Sequence, residues 1–280
     1  MNRWEHFSAL TARQRAEMLA IATEFEISNG RDALDENRRR FVQHGATGDY
    51  WLATTRDGTL HTFGVAEKSL LGTSIEIVGG GFDNDLHHAL CEQGILDAMW
   101  WLRDSQQPDV SYDVVRRLRY MEADNFQIET PESDLTIRTF IPGEHDELFI
   151  VANNLAFADH PEQGAWDAAS LQARIQEPWF DPSGFLLLFD GHKLAAACWT
   201  KIHELPEIRT GEIYVIFVHP EFQGRGFGDL ILRFGLDSIH RRGVHRASLF
   251  VEDSNTPAIA MYEKLGFATR RLDHLVRISQ

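Results

Sequence analysis

The sequence has only two cysteines, Cys91 and Cys198, among its 280 residues. Each lies within an apolar segment, which excludes a disulfide framework and a cysteine metal cluster and indicates small core residues in a reducing compartment. The sequence also lacks any apolar run of the ~18–20 residues that a membrane helix requires. Its first residues lack the apolar core of a signal peptide. We therefore expect a soluble, cytoplasmic protein.

Positive charge is also scarce, since 27 Lys and Arg residues stand against 42 Asp and Glu, for a net charge of −15. Such a chain is repelled by nucleic acids and by anionic membrane surfaces, so neither is an expected partner. Short basic runs such as residues 38–40 are typical of solvated helix faces. His87 and His88 are adjacent and cannot share a helix face, and no other set of metal ligands stands out. We expect no metal site.

What the sequence does contain is ample apolar material, 43% of its residues, and a length that suits two domains. Residues 130–134 have the composition of a linker, which predicts domains at 1–132 and 133–280. Hydrophobic periodicity predicts a similar order of elements in both halves, and hence an internal duplication. The fold class is mixed α/β (α+β), with a twisted, mostly antiparallel sheet flanked by helices in each domain.

The individual elements follow from the same periodicities. Predicted helices cover residues 8–29, 35–43, 84–103, 112–123, 144–156, 167–176, 226–241 and 256–265. Predicted strands cover residues 50–55, 60–66, 74–78, 135–140, 185–189, 194–203, 212–218, 247–252 and 268–278.

One stretch combines a strand, a glycine-rich turn and a helix start. The apolar run 213–218 ends before His219 and Pro220, and Gln223-Gly224-Arg225-Gly226-Phe227-Gly228 follows. Glycines there allow the backbone to approach a ligand, and converging N–H groups at a helix N-terminus favour a phosphate. Arg225 adds a positive charge. A tight connection without a ligand is the competing interpretation of the glycines alone.

A second segment begins at Asn255, which is placed to cap a helix that has Pro257 in its first turn and Gly266 at its end. Tyr262 lies in the middle of this helix. By spacing alone it is an ordinary core tyrosine.

Together these two segments resemble the acetyl-CoA site of the GCN5-related N-acetyltransferase superfamily. The pattern Gln-x-x-Gly-x-Gly is matched by Gln223, Gly226 and Gly228, and the pattern Asn-x-x-Ala-x-x-x-Tyr-x-x-x-Gly-Phe is matched from Asn255 to Phe267. The resemblance implies acetyl-CoA as co-substrate, two tandem acetyltransferase-type domains, and a strand that splays from its neighbour beside the pantetheine. The acetyl-CoA residues that it implies are Ile216, Phe217, Val218, Gln223, Gly224, Arg225, Gly226, Phe227, Gly228, Asp229, Asn255, Thr256, Pro257, Ala258, Ile259 and Ala260.

A closer resemblance, dense from residue 135 to 267, is to the mycothiol synthase family. It is carried by residues 156–164, 179–182, 199–201 and 211–215. It implies acetyl transfer to the cysteine amine of cysteinyl-glucosaminyl-inositol by the second domain, with Glu212 as general base and Tyr262 as general acid. The acceptor, a pseudo-disaccharide carrying cysteine, would contact Glu162, Lys201, Glu212 and the position of Phe250. The enzyme is expected to be a monomer.

This sequence departs from the family at two places. Phe250 stands where members typically carry a tyrosine that reaches the substrate, which favours a different amine, such as a protein N-terminus or a small aminated metabolite. The glycine turn of the first half, residues 79–81, is followed by Asp83 and Asp85, which disfavour a pyrophosphate there. The family associates that half with a second, non-productive acetyl-CoA, to which Glu36 would be related, whereas we expect a scaffold role. A non-catalytic acyl-CoA sensor is the remaining alternative.

Overall fold

A computed structural model of the chain describes residues 3–29, 32–45, 47–69, 72–103, 111–126, 133–160, 163–204 and 209–278. The chain divides into two compact units. Unit 1 consists of Met1–Leu118 with Arg271–Gln280, and unit 2 consists of Arg119–Arg270. The predicted boundary at residue 132 lies outside the described residues and stays a prediction. No helix of the described ranges is both long and apolar enough to cross a membrane.

The elements follow one another in chain order. Up to residue 124 they are β1 (Arg3–Phe7), α1 (Ala12–Asn29), α2 (Glu36–His44), β2 (Asp49–Thr54), β3 (Leu60–Ser69), β4 (Gly72–Val78), α3 (Asn84–Glu92), β5 (Met99–Leu102) and β6 (Tyr112–Asp124). From residue 136 they are β7 (Thr136–Thr139), α4 (Asp146–Ala156), α5 (Ala168–Ile175), β8 (Phe185–Asp190), β9 (Lys193–Glu204), β10 (Arg209–Val218), α6 (Phe227–Arg241), β11 (Arg246–Glu252), α7 (Thr256–Lys264) and β12 (Ala268–Ile278).

The sheet of unit 1 has the strand order β1-β2-β3-β4-β5-β12. Its pairs are antiparallel except for β4 with β5, which are parallel. Side chains alternate between two cores: Tyr50 and Phe63 pack with Met18 of α1, whereas Trp51 packs with Leu86 of α3. Successive strand residues point to opposite faces, so helices cover this sheet on both sides.

The sheet of unit 2 has the order β7-β8-β9-β10-β11-β6, with β10 and β11 parallel. One core contains Ile231 of α6 and Ile259 of α7, and the other contains Phe149 of α4 and Leu171 of α5. The strand order corresponds to that of unit 1, position by position. This confirms the predicted fold class, and it is the order that a duplication produces. Each sheet takes its last strand from the other half of the sequence, β6 for unit 2 and β12 for unit 1.

The predicted helix at 84–103 was wrong in its second half. Helix α3 ends at Glu92, and Gly94 adopts φ 76°, a left-handed conformation that favours glycine and ends a helix. Met99 and Trp100 then extend into β5, where both are buried between β4 and β12. The apolar residues had helical spacing because α3 and β5 both contribute side chains to the same core.

The predicted helix at 112–123 was also wrong, because these residues form strand β6. Met121 and Ala123 are buried, and the residues beside them are at least partly exposed, which is the period of two that a strand produces. In the first half of β6, the arginines obscured this alternation in the sequence. Strand β1 was not predicted, although Trp4 is buried within it. The other predicted elements are present, with ends that differ by a few residues.

Candidate functional site

Strand β10 contains a bulge that changes the direction of its side chains. In its pairing with β9, Ile213 lies opposite Thr200 and Val215 lies opposite Trp199, so Tyr214 is an extra residue. Ile213 therefore packs in the core of α6 and α7, while Tyr214 and Val215 both pack in the core of α4 and α5. Bulges of this kind re-aim side chains next to functional sites.

Strands β10 and β11 separate at the same level. Their parallel ladder consists of Gly211 with Ala247 and Glu212 with Ser248. Within the described residues no later pair joins the two strands, although β10 continues to Val218. Backbone N–H and C=O groups along one edge of residues 213–218 therefore need partners other than β11. This is the splayed strand that the resemblance implied.

A carboxylate stands where the two strands begin to part. Glu212 is only 16% exposed, and its Oε2 lies 2.7 Å from Nε2 of His203 on the neighbouring strand. Lys201 lies directly opposite Glu212 in the ladder. Its ammonium sits 4.9 Å from the ring centre of Trp179 and 5.9 Å from that of Tyr214. The structure therefore brings the two predicted residues Glu212 and Lys201 together, within one group of charged and aromatic side chains.

His203 was missed in the sequence. It follows Lys201 by two residues on a strand, so it lies on the same face, and this spacing was the signal that could have found it. Since Glu212 is held by a ring nitrogen at hydrogen-bond distance, its carboxylate has a defined orientation.

Aromatic packing supports this group from within the sheet. Trp199 is fully buried, stacked on Phe185 at 4.3 Å between ring centres, and meets Tyr214 edge-on at 5.3 Å. The hydroxyl of Tyr214 accepts a hydrogen bond of 3.0 Å from Arg174 of α5. Burial of a side chain of this size contributes roughly 1.5–3 kcal/mol, so the strands beneath Glu212 are firmly held.

The glycine-rich turn leads directly into α6. Gly224 and Gly226 have φ of 75° and 80°, and a Cβ at either position would meet no atom within 4 Å. The turn is therefore an open surface, and Gly226 is the cap residue of α6. The first N–H groups of a helix have no intrahelical partners, and together with the helix dipole they favour an anion. The backbone at Gln223 to Gly226 suits a diphosphate.

Two charged side chains of the turn are engaged within the protein. The guanidinium of Arg225 lies 2.9 Å from the carboxylate of Asp190 and 4.8 Å from the ring centre of Phe227. Asp229 in the first turn of α6 pairs with Arg233 at 2.7 Å. The positive charge that the sequence suggested for a phosphate is thus shared with Asp190.

The second sequence motif packs against the first. A Cβ on Gly228 would lie 3.2 Å from Sδ of Met261 and 3.5 Å from Cγ2 of Val218, so α6, α7 and the end of β10 approach closely there. Asn255 caps α7 by accepting a 3.3 Å hydrogen bond from the N–H of Ala258. The remaining predicted acetyl-CoA residues of this segment, Thr256, Pro257, Ile259 and Ala260, form the first turns of that helix.

Tyr262 is buried in the middle of α7, with 4% of its surface exposed. Its ring lies 5.9 Å from that of Phe267. Burial raises the pKa of Tyr262, and the nearby Cys198 raises it further. The phenol therefore keeps its proton throughout the neutral range, as a proton donor must.

Raising the pH from 8 to 10 should lower the free energy of unfolding by about 1 kcal/mol through Cys198. Burial raises the pKa of the Cys198 thiol from 9.0 to about 12, although Arg242 acts in the opposite direction. The unfolded chain thus loses this proton from about pH 9, while the folded protein keeps it. The stabilisation is complete below pH 9 and is lost as the pH rises toward 12.

This pH dependence can be measured by urea unfolding at several pH values. Cys198→Ala should flatten the slope between pH 8 and 10, whatever its effect on stability at pH 7. The half-buried Cys91 provides the control, and Cys91→Ala should keep the slope of the parent protein. Equal slopes for Cys198→Ala and the parent would contradict the assignment.

The other predicted residues lie elsewhere or outside the described ranges. Phe250 on β11 is 47% exposed and contacts Tyr120 of β6, with 5.1 Å between ring centres. Glu162 lies outside the described residues. Glu36 is the first residue of α2 in unit 1. Within the described residues no group of three or more His, Cys, Asp or Glu side chains could hold a metal ion.

Comparison with known proteins gives related sequences and folds. Residues 150–267 match the model of the acetyltransferase (GNAT) family. The mycothiol acetyltransferase of Streptomyces coelicolor is 32% identical over 296 residues, covering 98% of this chain and 94% of that protein. That of Salinispora arenicola is 50% identical over 138 residues, covering 48% of this chain and 45% of that protein. The chain thus spans about half the length of the curated relatives that match it most strongly in this second half.

Solved structures share the fold at low identity. A GCN5-related N-acetyltransferase from Sphaerobacter thermophilus superposes with a TM-score of 0.66 at 17% identity, covering 98% of this chain and 95% of that one. A tandem GNAT protein from the clavulanic acid biosynthesis pathway superposes with a TM-score of 0.62 at 13% identity, covering 98% of each chain. These likenesses show the tandem acetyltransferase fold. With the near full-length match to the Streptomyces relative, the chain belongs to the mycothiol acetyltransferase family.

Proposed function

We propose that the chain transfers the acetyl group of acetyl-CoA to the cysteine amine of cysteinyl-glucosaminyl-inositol, giving mycothiol. The observation that carries this proposal is the geometry of β10. Its bulge at Tyr214 and its separation from β11 after Glu212 are followed directly by the open glycine turn at α6. The names of the relatives support the choice of acceptor.

The acetyl-CoA would be held along this strand and turn. The edge of residues 216–218 that faces away from β9 offers backbone groups to the pantetheine, and the N–H groups that follow Gln223, up to Asp229, offer donors to the pyrophosphate. The start of α7, from Asn255 to Ala260, borders the same place because Met261 packs against Gly228. An N–H near Phe217 or Val218 would polarise the thioester carbonyl.

Each proton and bond of the reaction has a place in this arrangement. The free α-amine has a pKa near ~8, so about a tenth of it carries an available lone pair at pH 7. Nitrogen attacks the thioester carbonyl, a C–N bond forms and the C–S bond breaks. Glu212 takes the proton from nitrogen, directly or through a water, and Tyr262 gives its proton to the leaving sulfur. Transfer is direct, without an acyl-enzyme.

Recognition of the acceptor would rest on the charged group at β9 and β10. A polyhydroxylated sugar–cyclitol with a cationic amine suits carboxylate and ammonium partners. Lys201 and Glu212 are opposite one another in the ladder, and His203 joins them. Glu162 is proposed as a further partner on the resemblance alone.

A scaffold role is proposed for unit 1. The N-terminus of α3 follows the glycine turn at 79–81, but Asp83 already caps it. Its carboxylate accepts a hydrogen bond of 2.7 Å from the N–H of Leu86. The same carboxylate accepts a hydrogen bond of 3.1 Å from the indole N–H of Trp4. With Asp85 also in the first turn, two negative charges stand where a pyrophosphate would lie. The family's second acetyl-CoA, related to Glu36, is therefore not part of this proposal.

One observation favours a different acceptor with the same chemistry. Phe250 has no hydroxyl with which to reach a substrate, and a protein N-terminus or another small amine would need none. This acceptor is the second candidate.

Incubation with acetyl-CoA and a panel of amines should distinguish these acceptors. We expect kcat/KM for cysteinyl-glucosaminyl-inositol to exceed that for free cysteine, aminoglycosides and N-terminal peptides by at least about a hundredfold. Two or more lost polar contacts of about 1–1.5 kcal/mol each account for such a ratio. The acceptor carries a thiol, so acetylated product should be quantified by mass spectrometry and not by a thiol reagent.

The outcomes separate the candidates. Preference for another amine would reject mycothiol synthesis and keep N-acetyl transfer. Binding of acetyl-CoA without turnover of any amine would support an acyl-CoA sensor and reject both enzymatic proposals.

A further inference from the structure

Strands β11 and β6 carry a partly exposed polar and aromatic surface around Phe250. On one face of these strands Ala247, Leu249, Met121 and Ala123 are buried in the core of α6 and α7. The alternate residues therefore lie on the opposite face, and among them Phe250 is 47% exposed. The ring of Phe250 is therefore accessible from solvent.

This surface shares its face with Glu212. Ser248 is the ladder partner of Glu212, and Phe250 is two residues further along β11. Tyr120 on the adjacent strand contacts Phe250 with ring centres 5.1 Å apart and ring planes at 47°. This ring pair thus begins one strand away from the proposed base, on the same side of the sheet.

The hydroxyl of Tyr120 is oriented by a carboxylate. It donates to Oε1 of Glu122 at 2.7 Å, and Oε2 of Glu122 lies 3.5 Å from Nε of Arg270. A phenol that donates to a carboxylate still has lone pairs with which it can accept, and a carboxylate accepts several hydrogen bonds. The pair is therefore suited to ligands rich in hydroxyl donors. The two rings offer apolar faces to the C–H groups of a saturated ring.

We propose that Tyr120 and Glu122, which stand beside Phe250, bind the polyhydroxylated ring portion of the acceptor and determine specificity for it. This inference rests on the proposed function and extends it to a strand from the first half of the sequence. Tyr120 supplies a hydroxyl beside Phe250, whose own side chain has none. The absence of a tyrosine at position 250 is then compensated by its neighbour.

Kinetics of Tyr120→Phe test this role with two acceptors. KM for cysteinyl-glucosaminyl-inositol should rise about fivefold to tenfold, because the loss of one hydrogen bond weakens binding by about this factor. KM for cysteinamide, which has no ring, and KM for acetyl-CoA should not change. Tyr112→Phe, which removes an exposed hydroxyl at the start of the same strand, should behave as the parent protein.

Rescue distinguishes a lost contact from a general disturbance. Adding Phe250→Tyr to Tyr120→Phe returns a hydroxyl to the same ring pair. KM for the full acceptor should then fall back close to that of the parent protein. Unchanged KM in Tyr120→Phe, or an equal rise for cysteinamide and the full acceptor, would overturn the inference.

A binding measurement separates this inference from the proposed function. Calorimetric titration with glucosaminyl-inositol, the acceptor without cysteine, needs no turnover. Weaker binding by Tyr120→Phe than by the parent supports the ring subsite even if the full acceptor is not acetylated. No binding by the parent protein overturns the subsite, whichever amine is the substrate.

Discussion

Glu212→Gln is expected to lower kcat by about a hundredfold to ten-thousandfold while acetyl-CoA binds as before. This is the range that a positioned general base contributes. Glutamine keeps the size and the acceptor oxygen of the side chain but cannot take a proton at neutral pH. The loss should therefore fall on the chemical step.

The contacts of Glu212 explain why binding and stability should be retained. The side chain is 16% exposed and lies 2.7 Å from His203, opposite Lys201. A glutamine amide oxygen can accept the same hydrogen bond from the imidazole. The proposed acetyl-CoA contacts are backbone groups further along β10 and in the turn, which this substitution does not touch.

Rates from product formation and acetyl-CoA affinity from calorimetry measure the two effects separately. Glu144→Gln removes a carboxylate that is 62% exposed in the same unit, and its kcat should equal that of the parent. Turnover within twofold of the parent in Glu212→Gln would remove Glu212 from the mechanism. Loss of acetyl-CoA binding together with turnover would place it in the binding site instead.

Tyr262→Phe is expected to lower kcat by about a hundredfold, with KM for acetyl-CoA unchanged. A thiol has a pKa near ~8.5, so thiolate is a better leaving group than an amine and needs less assistance. The effect should therefore lie at the low end of the range for acid–base catalysis. Because burial raises the pKa of Tyr262, its proton is present at every pH at which the enzyme is assayed.

The environment of Tyr262 makes phenylalanine a conservative replacement. The ring is 4% exposed and lies in a core with Phe227, Leu249 and Phe267. Removing its hydroxyl keeps the apolar contacts, and the volume changes little. Thermal unfolding should therefore shift by only a few degrees, and the kinetic loss can be assigned to the hydroxyl.

Tyr50→Phe is the matched control for this substitution. Tyr50 is fully buried in unit 1, where its hydroxyl donates to the carbonyl of Phe41 at 3.3 Å. Its loss should cost about 1 kcal/mol of stability and no activity. If kcat of Tyr262→Phe is within twofold of the parent, Tyr262 is not the general acid, and water protonates the thiolate.

Much of the architecture was predictable because local periodicity agreed with the final packing. Helix α6 and strand β12, for example, were predicted almost to their ends. Strands β5 and β6 were not, since their residues have patterns that also suit a helix. Met99 and Met121 became strand residues because β4 and β11 offered backbone partners far away in the sequence. Long-range pairing overrides a weak local preference.

The candidate site divides in the same way. The glycine turn was read from the sequence because Gly224 and Gly226 act on their own backbone. The partners of Glu212 could not be read in this way, since His203 reaches it only through the register of β9 and β10. The contact of Tyr120 with Phe250 joins residues from the two halves of the sequence.

By itself the sequence determined the features that a few consecutive residues produce. These are the open turn at Gly224 and Gly226, the Asn255 cap, the sparse thiols and the acidic charge. Only the tertiary structure decided which side chains share a face: Glu212 with His203 and Lys201, and Tyr120 with Phe250. The physical reason is that turns and caps join residues only a few positions apart in the sequence. Strand pairing, in contrast, depends on a register that is set by the whole core.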